Sequence, residues 1–501
     1  MSENDQLAAI VGHSNVFESP EVLDEYAGDD IAAAPAPPRC VARPKDATEV
    51  QRIVAWANVS GTPLIPVSSS PPHSRGDTVP SVEGAVIVDL RRMNRVVRVD
   101  PEHRIAMVEP GVTFPELVSA VQKSGLRLNL PLLPRPTKSV LASMLEREPV
   151  IMPKYHWDIS DPLACTEVIY GSGDLLKTGS AAGPGALEEQ WEAGAAQNEA
   201  AGPIQADFLR LIQGAQGTMG IVTWATVRCE HLPSIEEPYL VGSQKLTDLL
   251  DFAHWLIRNR WADDCLLLND VNLARIMADD QARDHDELRA TLPRWILFYT
   301  ISGTRYFPDE KVRYLQSDIA ELAKRLSVAP HTSLGEVSGH DLMDILHEPP
   351  VESHWKSRGG TGYKDIFVIS IQEKVEELVD AVMGLAAESG YPLSDVGVYL
   401  QPIVQAVNYH CEFNLFVEAD GAGAISQASA SAHAGALFDA ASKLLAARGG
   451  FFSRPYGSWA EIAYGKDPAT ASALQKVKNI FDPNNVMNPG KLCFSPTKGG
   501  A

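Results

Sequence analysis

The chain has 501 residues, 45% of them apolar and 21% charged, which is enough for two sizeable hydrophobic cores and excludes a mainly disordered protein. Lysine and arginine number 43 against 64 aspartates and glutamates, so the formal net charge is -21 at pH 7. Because such a surface repels phosphate backbones and anionic lipids, we expect neither nucleic acid nor a membrane as a partner.

The cysteines and the first residues indicate the compartment. Six cysteines lie far apart without a CxxC pair, which is typical of reduced, buried thiols rather than of disulfides or a metal centre. The start, MSENDQLAAIVG, is acidic where a secretory signal is basic, and no apolar run approaches the ~18 residues of a membrane span. The sequence therefore predicts a cytoplasmic protein that contains no metal and does not insert into a membrane.

The first third of the chain alternates short β-rich runs with helical periodicity. Between Cys40 and Leu90, the runs CVARP, TPLIPV and AVIVDL flank a helix that begins after Asp46, which predicts a βαβ-like unit with one extra strand. Two hairpins follow, RVVRVDPEHRIAMVEPG and CTEVIYGSGDLLKTG, with the helix FPELVSAVQKSG between them. Residues 180–203 are rich in alanine, glycine and glutamate and predict a long surface excursion.

After Pro233 the pattern changes to amphipathic helices that alternate with β-like runs. LTDLLDFAHWLIRN, EKVRYLQSDIAELAKRL and KVEELVDAVMGLAAESG have helical periodicity, and WILFYTI, IFVISI, VGVYLQPIV and HCEFNLFVEA are β-like. A helix followed by strands, repeated, predicts a second α+β layer with one large sheet over residues 234–450.

The loop PVSSSPPHSRGDTVPS, after the third early strand, is the first candidate binding site. Its serines and glycine offer hydroxyls and backbone N–H groups to a phosphate. Pro71 and Pro72 have no N–H to donate, so an ordinary rigid turn is the alternative interpretation of this loop.

Several stretches together resemble one family of flavoproteins. They are IFDPNNVMNPGKL near the C-terminus, VEPGVTFPELV, GAQGTMGIVT, SVLASMLER and EVIYGSGDLLKTG. The chain is similar to the FAD-binding family of vanillyl-alcohol oxidase and the flavoprotein subunit of 4-cresol methylhydroxylase (PCMH), with D-lactate and glycolate dehydrogenases as more distant relatives. The resemblance is specific over residues 38–235 and 450–494.

The resemblance implies an α+β fold around a PCMH-type FAD-binding domain made of two parts. Residues 1–235 would form the FAD-binding domain, residues 236–450 an α+β cap or substrate domain, and residues 451–501 a C-terminal segment that returns to the FAD-binding domain. FAD is then the cofactor, with its pyrophosphate in the loop from Ser68 to Arg75. The residues expected to bind FAD are Ser68, Ser69, Ser70, His73, Ser74, Arg75, Gly76, Asp77, Pro110, Thr137, Ser139, Val140, Ala142, Gly217, Gly220, Ile221, Val222, Arg454 and Lys491.

The resemblance also implies which residues carry the reaction. Asp158 corresponds to the family's active-site aspartate, which handles a proton beside the flavin, and Asp161 is the competing candidate. Arg454 corresponds to an arginine that holds a developing negative charge, a role that suits a permanently protonated guanidinium. The alternatives are a turn or N-cap role for Asp158 and a structural ion pair for Arg454.

The chain departs from the family at its two phenol-binding tyrosines, which correspond here to Arg75 and Ser453. A simple para-alkylphenol is therefore not the expected substrate. The candidates to replace the missing hydroxyls are Tyr155, Tyr409 and Tyr456, of which Tyr155 is taken as a catalytic candidate together with Asp158, Arg454 and Arg75.

The positive charge of Arg75 needs a counter-charge, because an unpaired buried cation costs several kcal/mol. Asp77, Asp158 or an anionic group on the substrate are the candidates. Relatives often tether FAD covalently, and His73 and His410 are the candidates for such a link here, with ordinary hydrogen-bonded histidines as the alternative.

Three functions remain open at this point. The first is a flavin-dependent oxidase or dehydrogenase that takes a hydride from a benzylic or allylic C–H or alcohol of an aromatic or related substrate. The second is a 2-hydroxy-acid dehydrogenase, favoured by Arg75 and Arg454. The third is a scaffold subunit that binds FAD poorly, supported by Pro71 and Pro72. The expected partners are a small organic substrate and an electron-transfer protein, in a homo- or hetero-oligomer.

Overall fold

The computed structural model describes residues 2–27, 36–73, 75–76, 78–154, 162–203, 206–278, 285–348, 354–360, 362–417 and 423–496. Five candidate residues named above lie outside these ranges, namely Ser74, Asp77, Tyr155, Asp158 and Asp161. Three larger sheets and their covering helices build the described part, which confirms the predicted α+β class. None of its helices combines the length and apolarity that a membrane crossing requires.

A small sheet near the N-terminus contains the predicted βαβ unit. Its elements are α1 (Glu3–Val11), β1 (Val16–Phe17), α2 (Pro20–Asp24), β2 (Cys40–Ala42), α3 (Ala47–Ser60), β3 (Leu64–Val67) and β4 (Val86–Asp89). Strand β4 lies between β2 and β3 and pairs with both in parallel, while β1 adds antiparallel to β2. Helix α3 begins where the sequence predicts, because the Asp46 carboxylate accepts the N–H of Glu49 at 2.9 Å.

An antiparallel sheet follows and contains both predicted hairpins, β5–β6 and β8–β9. Its elements are β5 (Val96–Asp100), β6 (Ile105–Val108), α4 (Phe114–Gln122), β7 (Leu126–Leu128), α5 (Val140–Leu145), β8 (Leu163–Tyr170), β9 (Leu175–Lys177), α6 (Leu187–Glu192), α7 (Leu209–Ile212) and β10 (Gly220–His231). The long strand β10 is central and pairs with β6, β7 and β8.

The predicted surface excursion over residues 180–203 is only partly right. It contains helix α6, and Gln190 and Gln197 are buried and joined by a side-chain hydrogen bond of 3.0 Å. The Thr226 hydroxyl on β10 also donates to the Gln197 carbonyl at 2.8 Å, so these polar contacts hold the segment on the sheet without a periodic apolar stripe.

A seven-stranded antiparallel sheet dominates the second half, where the sequence predicts one large sheet. Its strands run in the order β14-β11-β13-β12-β18-β19-β17. The elements are β11 (Ile235–Ser243), α8 (Leu246–Arg258), β12 (Cys265–Asn269), α9 (Asp270–Met277), α10 (His285–Thr291), β13 (Trp295–Gly303), α11 (Pro308–Leu326), β14 (Pro330–His331), β15 (Ser333–Leu334), β16 (Val337–Ser338), α12 (Gly339–His347), β17 (Gly362–Ile371), α13 (Gln372–Ser389), β18 (Val396–Ile403), β19 (Asn408–Val417) and α14 (Gly423–Ala447).

The two faces of this sheet differ in chemistry. Alternate residues such as Val398, Cys411 and Phe413 point to one face and join a core that helices α8, α11, α13 and α14 cover. The residues between them, including Glu412, point to the opposite face. At the β18–β19–β17 end this opposite face is polar, and it is the face on which the candidate site is built.

The C-terminal segment lies against the first sheet through helices α15 (Trp459–Tyr464) and α16 (Pro468–Phe481) and the chain that follows them. The N–H of Leu64 on β3 donates to the Val486 carbonyl at 2.7 Å. Lys478 and Asp482 form a fully buried ion pair of 2.7 Å, and Lys478 also donates to the Thr218 carbonyl. These contacts join the segment to the sheets on which the FAD-binding residues are expected.

Candidate functional site

Two adjoining clefts contain most of the described candidate residues. The cofactor cleft, about 780 Å³, lies between β3, α5, α7 and β10. Its phosphate end is lined by the loop after β3, including Ser68, Ser69 and His73. The charged cleft, about 690 Å³, lies between the same loop, residues 131–149 and the polar face of the seven-stranded sheet. Arg75, Arg135 and Lys138 line both the phosphate end and the charged cleft, so the two are continuous.

Hydrogen bonds to the rest of the fold hold the phosphate loop in place. The Ser69 hydroxyl accepts the N–H of Ser139 at 3.0 Å, and the N–H of Ser70 donates to the Thr137 carbonyl at 3.1 Å. The Ser70 hydroxyl accepts from Arg91 at 3.2 Å. The hydroxyl oxygens of Ser69 and Ser70 are therefore both acceptors, which leaves their hydroxyl protons free to donate to an anion.

Residues near the N-terminus brace this loop from behind, a feature that the sequence did not indicate. Arg91 donates to the buried Asp89 at 2.7 Å and to the Tyr26 hydroxyl at 2.9 Å. The Tyr26 ring stacks on His73 with 5.2 Å between ring centroids. Burial alone would raise the pKa of Asp89, but the bonds from Arg91 and Arg43 outweigh it and lower that pKa. Asp89 therefore stays ionised and fixes Arg91 behind the loop.

In the wall opposite the loop, two glycines let the backbone pack very close to neighbouring residues. A Cβ at Gly217 would lie 2.5 Å from Pro66 Cγ, and one at Gly220 would lie 2.5 Å from the Ile169 carbonyl oxygen. Gly217 also has a φ of 69°, in the left-handed region that favours glycine. Ile221 and Val222 continue the same wall, so four predicted residues meet in one surface.

The cofactor cleft suits a flavin dinucleotide by the chemistry of its lining. The middle is apolar, and the sequence did not indicate its Leu141, Leu145, Ile212 and Met219. The phosphate end contains the Thr78 hydroxyl, a buried oxygen with no hydrogen-bond partner among the described residues. Because an orphaned buried hydroxyl costs free energy, an anion at this end would relieve it.

The other predicted FAD-binding residues fall into two groups. Pro110 and Ala142 line the cofactor cleft. Val140 lies in the core, where its N–H donates to the Val112 carbonyl at 3.0 Å, and Lys491 donates to the Gly76 carbonyl at 2.7 Å. The Lys491 side chain thus holds the phosphate loop through the backbone carbonyl of Gly76.

The charged cleft combines aromatic walls with unbalanced charge. Trp355, Tyr363 and Tyr399 line it together with His354. Among its described residues, five cations face three carboxylates, namely Arg75, Arg135, Lys138, Lys356 and Arg454 against Glu148, Asp365 and Glu412. A low-dielectric cleft with excess positive charge attracts an anionic ligand.

Glu148 neutralises Arg75, a partner that the sequence analysis did not consider. Arg75 Nη2 lies 3.0 Å from Glu148 Oε1, while Lys138 lies 3.9 Å from the same carboxylate. Burial alone would raise the pKa of Glu148, but Lys138, Arg75 and Arg454 outweigh it and lower that pKa to about 2. Asp77 and Asp158, the predicted partners, lie outside the described residues.

Within the part of the chain that the structure describes, Arg454 has no such carboxylate partner. It is 2% exposed, and its Nε and Nη1 have no hydrogen-bond partner among the described residues. Its guanidinium lies 4.0 Å from the ring centroid of Phe367, on which Arg75 also stacks at 4.9 Å. Burial and the nearby charge of Arg75 both lower the pKa of Arg454. Arg454 is therefore a buried cation in need of an anion.

The polar face of the sheet forms the other wall of the charged cleft. Asp365 on β17 and Glu412 on β19 both accept hydrogen bonds from Lys356 Nζ, at 2.7 and 2.6 Å. Glu412 also lies 3.2 Å from His410 Nε2. The sequence analysis named His410 but gave neither carboxylate a catalytic role, although their alternation with apolar residues along YKDIFVISI and NYHCEFNLF carries the signal.

The tyrosines are distributed differently from the prediction. Tyr409 is fully buried on the opposite, apolar face of the sheet, so it cannot replace a phenol-binding group. Tyr456 lines the cofactor cleft. The tyrosines of the charged cleft, Tyr363 and Tyr399, were not indicated by the sequence.

Glu236, Asp264 and His347 form a separate cluster beneath the seven-stranded sheet. Their ligand atoms lie within 4.8 Å of one another, and His347 Nε2 is 2.8 Å from Asp264 Oδ2. Arg127 neutralises Glu236 at 2.6 Å. Since each nitrogen of His347 faces a different carboxylate, a protonated imidazole accounts for this geometry.

Comparison with known proteins agrees with this arrangement. Residues 38–179 match the FAD binding domain, and residues 424–492 match the C-terminal domain of FAD linked oxidases. The chain is 22% identical to D-2-hydroxyglutarate dehydrogenase of Stutzerimonas stutzeri over 499 residues, which covers 97% of this chain and 98% of that relative. It is 29% identical to the flavoprotein subunit of 4-cresol dehydrogenase (hydroxylating) of Pseudomonas putida over 182 residues, which covers 35% of this chain and 34% of that relative.

The chain spans about half the length of several other curated relatives that it matches. The crystal structure of p-cresol methylhydroxylase with substrate bound superimposes with a TM-score of 0.79 at 17% identity, covering 98% of this chain and 96% of that one. The predicted PCMH-type fold and FAD as the cofactor are both confirmed.

Proposed function

We propose that this chain is an FAD-linked oxidoreductase, since residues 38–179 and 424–492 match the FAD-binding and C-terminal domains of such enzymes. Its proposed substrate is a small aromatic or unsaturated compound that bears a carboxylate or another anionic group. The observation that carries this proposal is Arg454, a buried guanidinium whose Nε and Nη1 find no acceptor among the described residues. A bound carboxylate would supply the missing charge and hydrogen bonds.

The aromatic walls of the charged cleft support the second half of the proposal. Trp355, Tyr363 and Tyr399 offer ring faces and edges to a planar substrate. When bound, FAD supplies the hydride acceptor for a benzylic or allylic C–H or alcohol. The protein's part is to orient the substrate by its anionic group and to exclude water from the reacting carbon.

Oxidation of a 2-hydroxy acid is the second candidate. Arg454, whose Nε and Nη1 lack an acceptor among the described residues, would bind its carboxylate equally well. One relative that is matched over nearly its whole length is a D-2-hydroxyglutarate dehydrogenase. A scaffold subunit has less support, because the orphaned Thr78 hydroxyl at the phosphate end suits a bound anion. An electron-transfer protein remains the proposed acceptor of electrons, since an acidic surface suits a basic partner.

The test is anaerobic bleaching of the flavin by matched substrates. We expect the purified protein to be yellow and 4-(hydroxymethyl)benzoate to reduce the flavin much faster than benzyl alcohol, which lacks the carboxylate. D-Lactate and D-2-hydroxyglutarate test the second candidate, and 4-cresol tests the neutral phenol. Fastest reduction by 4-cresol would contradict the anionic substrate, and a colourless protein that takes up no FAD would favour the scaffold.

Arg454→Met sharpens this test. Loss of one partner of a buried charge pair costs about 2–5 kcal/mol, so we expect reduction by 4-(hydroxymethyl)benzoate to become less efficient by at least ~30-fold. Reduction by benzyl alcohol and the FAD content serve as controls and should change little. Arg454→Lys, which keeps the charge but not the planar fork, should recover part of the loss.

A further inference from the structure

Asp365 and Glu412 occupy neighbouring positions on one face of the sheet. In the antiparallel register, Asp365 on β17 lies opposite Asn414 on β19, and Phe367 lies opposite Glu412. Side chains at i and i+2 of a strand share a face, so Asp365 lies beside Phe367, the ring on which Arg75 and Arg454 stack. The two carboxylates therefore line the same cleft as the two guanidiniums.

The carboxylates share their hydrogen-bond donors. Lys356 Nζ donates to Asp365 Oδ2 at 2.7 Å and to Glu412 Oε1 at 2.6 Å. Asn414 Nδ2 donates to Asp365 Oδ1 at 2.7 Å and to Glu412 Oε1 at 2.8 Å. Asn414 is itself fixed by Asn272, which donates to its carbonyl at 2.7 Å. One lysine thus compensates two carboxylates, which leaves the pair with one excess negative charge.

The environments of the two carboxylates differ, and this separates their roles. Burial raises the pKa of Asp365, and the charge of Glu412 raises it further against the pull of Lys356. Burial alone would raise the pKa of Glu412, but Lys356 and His410 outweigh it and hold that pKa well below its usual range. Two coupled carboxylates driven in opposite directions are typical of an acid–base pair.

The groups that face Asp365 come from every element around it. The segment at residues 354–356 contributes Lys356 and His354, and β19 contributes Glu412 and His410. Two tyrosines also face it, Tyr363 from the same strand and Tyr399 from β18. The remaining charged groups are Arg75 on the phosphate loop, Arg135 and Glu148 in residues 131–149, and Arg454 on the C-terminal segment. Lys356 and Glu412 are the strongest electrostatic influences on Asp365.

We propose that Asp365 is the proton acceptor for the substrate hydroxyl, and that Glu412 and Lys356 set the pH range in which it works. This rests on the proposed function, oxidation of an alcohol in the charged cleft. The substrate C–H bond breaks with its electron pair transferred as hydride to oxidised FAD, which is reduced. The O–H bond breaks with its proton transferred to a carboxylate oxygen of Asp365, and the carbon–oxygen double bond forms.

The first experiment measures the rate of anaerobic flavin reduction by 4-(hydroxymethyl)benzoate against pH. We expect Asp365→Asn to lower the rate at least ~100-fold and to remove the limb that rises with pH, with FAD still bound. Glu412→Gln should move the rising limb of the pH–rate profile to lower pH, because it removes a negative charge beside Asp365. Lys356→Met should move the limb to higher pH, because it removes a positive charge.

Asp380→Asn, on the exposed side of helix α13, is the matched control and should leave the profile unchanged. A purely structural Asp365 would lower rates without these opposite shifts. An Asp365→Asn variant that keeps both the rate and the limb would overturn the assignment.

The second experiment needs no substrate. The carboxyl C=O infrared band of the FAD-loaded protein, minus that of Asp365→Asn, reports the protonation of Asp365 as pH is varied. We expect this band to titrate with a midpoint above the ordinary aspartate pKa of about 3.9. The midpoint should move to lower pH in Glu412→Gln and to higher pH in Lys356→Met. Titration at the ordinary value would overturn the role of Asp365 for any substrate. If none of the substrates of the anaerobic bleaching test reduces the flavin, the proposed function fails together with this step, whatever the infrared result.

Discussion

The cofactor cleft and the charged cleft adjoin one another but are built in different ways. Residues 66–69, 141–146 and 212–222 supply most of the cofactor cleft, largely as apolar side chains and close-packed backbone. The charged cleft takes side chains from the phosphate loop, residues 131–149, residues 354–356, strands β17, β18 and β19, and the C-terminal segment. Most of the side chains that decide its chemistry are ionised. A cleft made of contiguous backbone depends on local conformation, whereas one made of distant charges depends on how the sheets are assembled.

This difference predicts effects of unequal size when single residues are substituted. In the charged cleft, removing one charge leaves its partner buried and unpaired, so the effect on stability or rate is large. In the cofactor cleft, removing one hydroxyl loses a single donor among several, so the effect on FAD affinity is small.

The largest expected effect on stability is at Glu148. Glu148→Gln leaves Arg75 without its carboxylate beside Arg454 and Lys138, and breaking a buried pair costs about 3–5 kcal/mol of unfolding free energy. Urea unfolding of the FAD-loaded protein at neutral pH measures it. Glu310→Gln, which breaks an exposed pair with Arg313, is the control and should cost less than about 1 kcal/mol.

The same variant has a predictable pH dependence. Because the pKa of Glu148 in the folded protein is lowered to about 2, its contribution is fully present above the unfolded value of about 4.3 and is lost as pH falls towards 2. The wild-type protein and Glu148→Gln should therefore converge in stability below pH ~4. A difference that stayed constant down to pH ~2 would show that the carboxylate charge is not the cause.

An intermediate effect is expected at Gly217, in the backbone of the cofactor cleft. Gly217→Ala combines left-handed strain of about 1–2 kcal/mol with a Cβ that meets Pro66 Cγ at 2.5 Å, and Pro66 lines the cleft. We expect FAD to dissociate at least ~10-fold more readily, measured by ultrafiltration of the flavin. Gly84→Ala has a similar φ of 75° but meets nothing within 4 Å, so it should be strained without losing FAD.

The smallest effect is expected at Thr78. Thr78→Val keeps the shape but removes the orphaned hydroxyl, so FAD should bind about fivefold more weakly, or about 1 kcal/mol, while the apoprotein is no less stable. Thr78→Ser restores the hydroxyl and should bind FAD normally. Equal FAD affinity in Thr78→Val would mean that this oxygen does not contact the phosphates.

The predicted site divides along the same line. Ser68, Ala142, Gly217 and Gly220 could be placed in the cofactor cleft from the resemblance, because each belongs to a short motif whose backbone shape is local. Val140 belongs to such a motif too, yet it packs into the core, since a helix presents only part of its surface to a cleft.

The residues of the charged cleft could not be placed in this way. Arg75 and Arg454 were expected as candidates, but the partner of Arg75 is Glu148, which lies only a short distance beyond the SVLASMLER motif. Asp365 and Glu412 meet only because β17 and β19 pair in one register, and a slip of either strand by one residue would turn its carboxylate to the opposite face.

The FAD cofactor and the position of the phosphate loop followed from the resemblance of several motifs to a known flavoprotein family. The residues by themselves determined the α+β class and the strands and helices of the first third. These depend on turn residues, helix caps and periodicity, which act over a few neighbouring residues. Only the tertiary structure decided which carboxylate compensates Arg75, that Arg454 finds no such partner among the described residues, and that Tyr409 lies on the apolar face of the sheet. Those outcomes depend on strand register and on contacts between residues hundreds of positions apart, and electrostatic energy in a buried cleft depends on distances that local sequence does not encode.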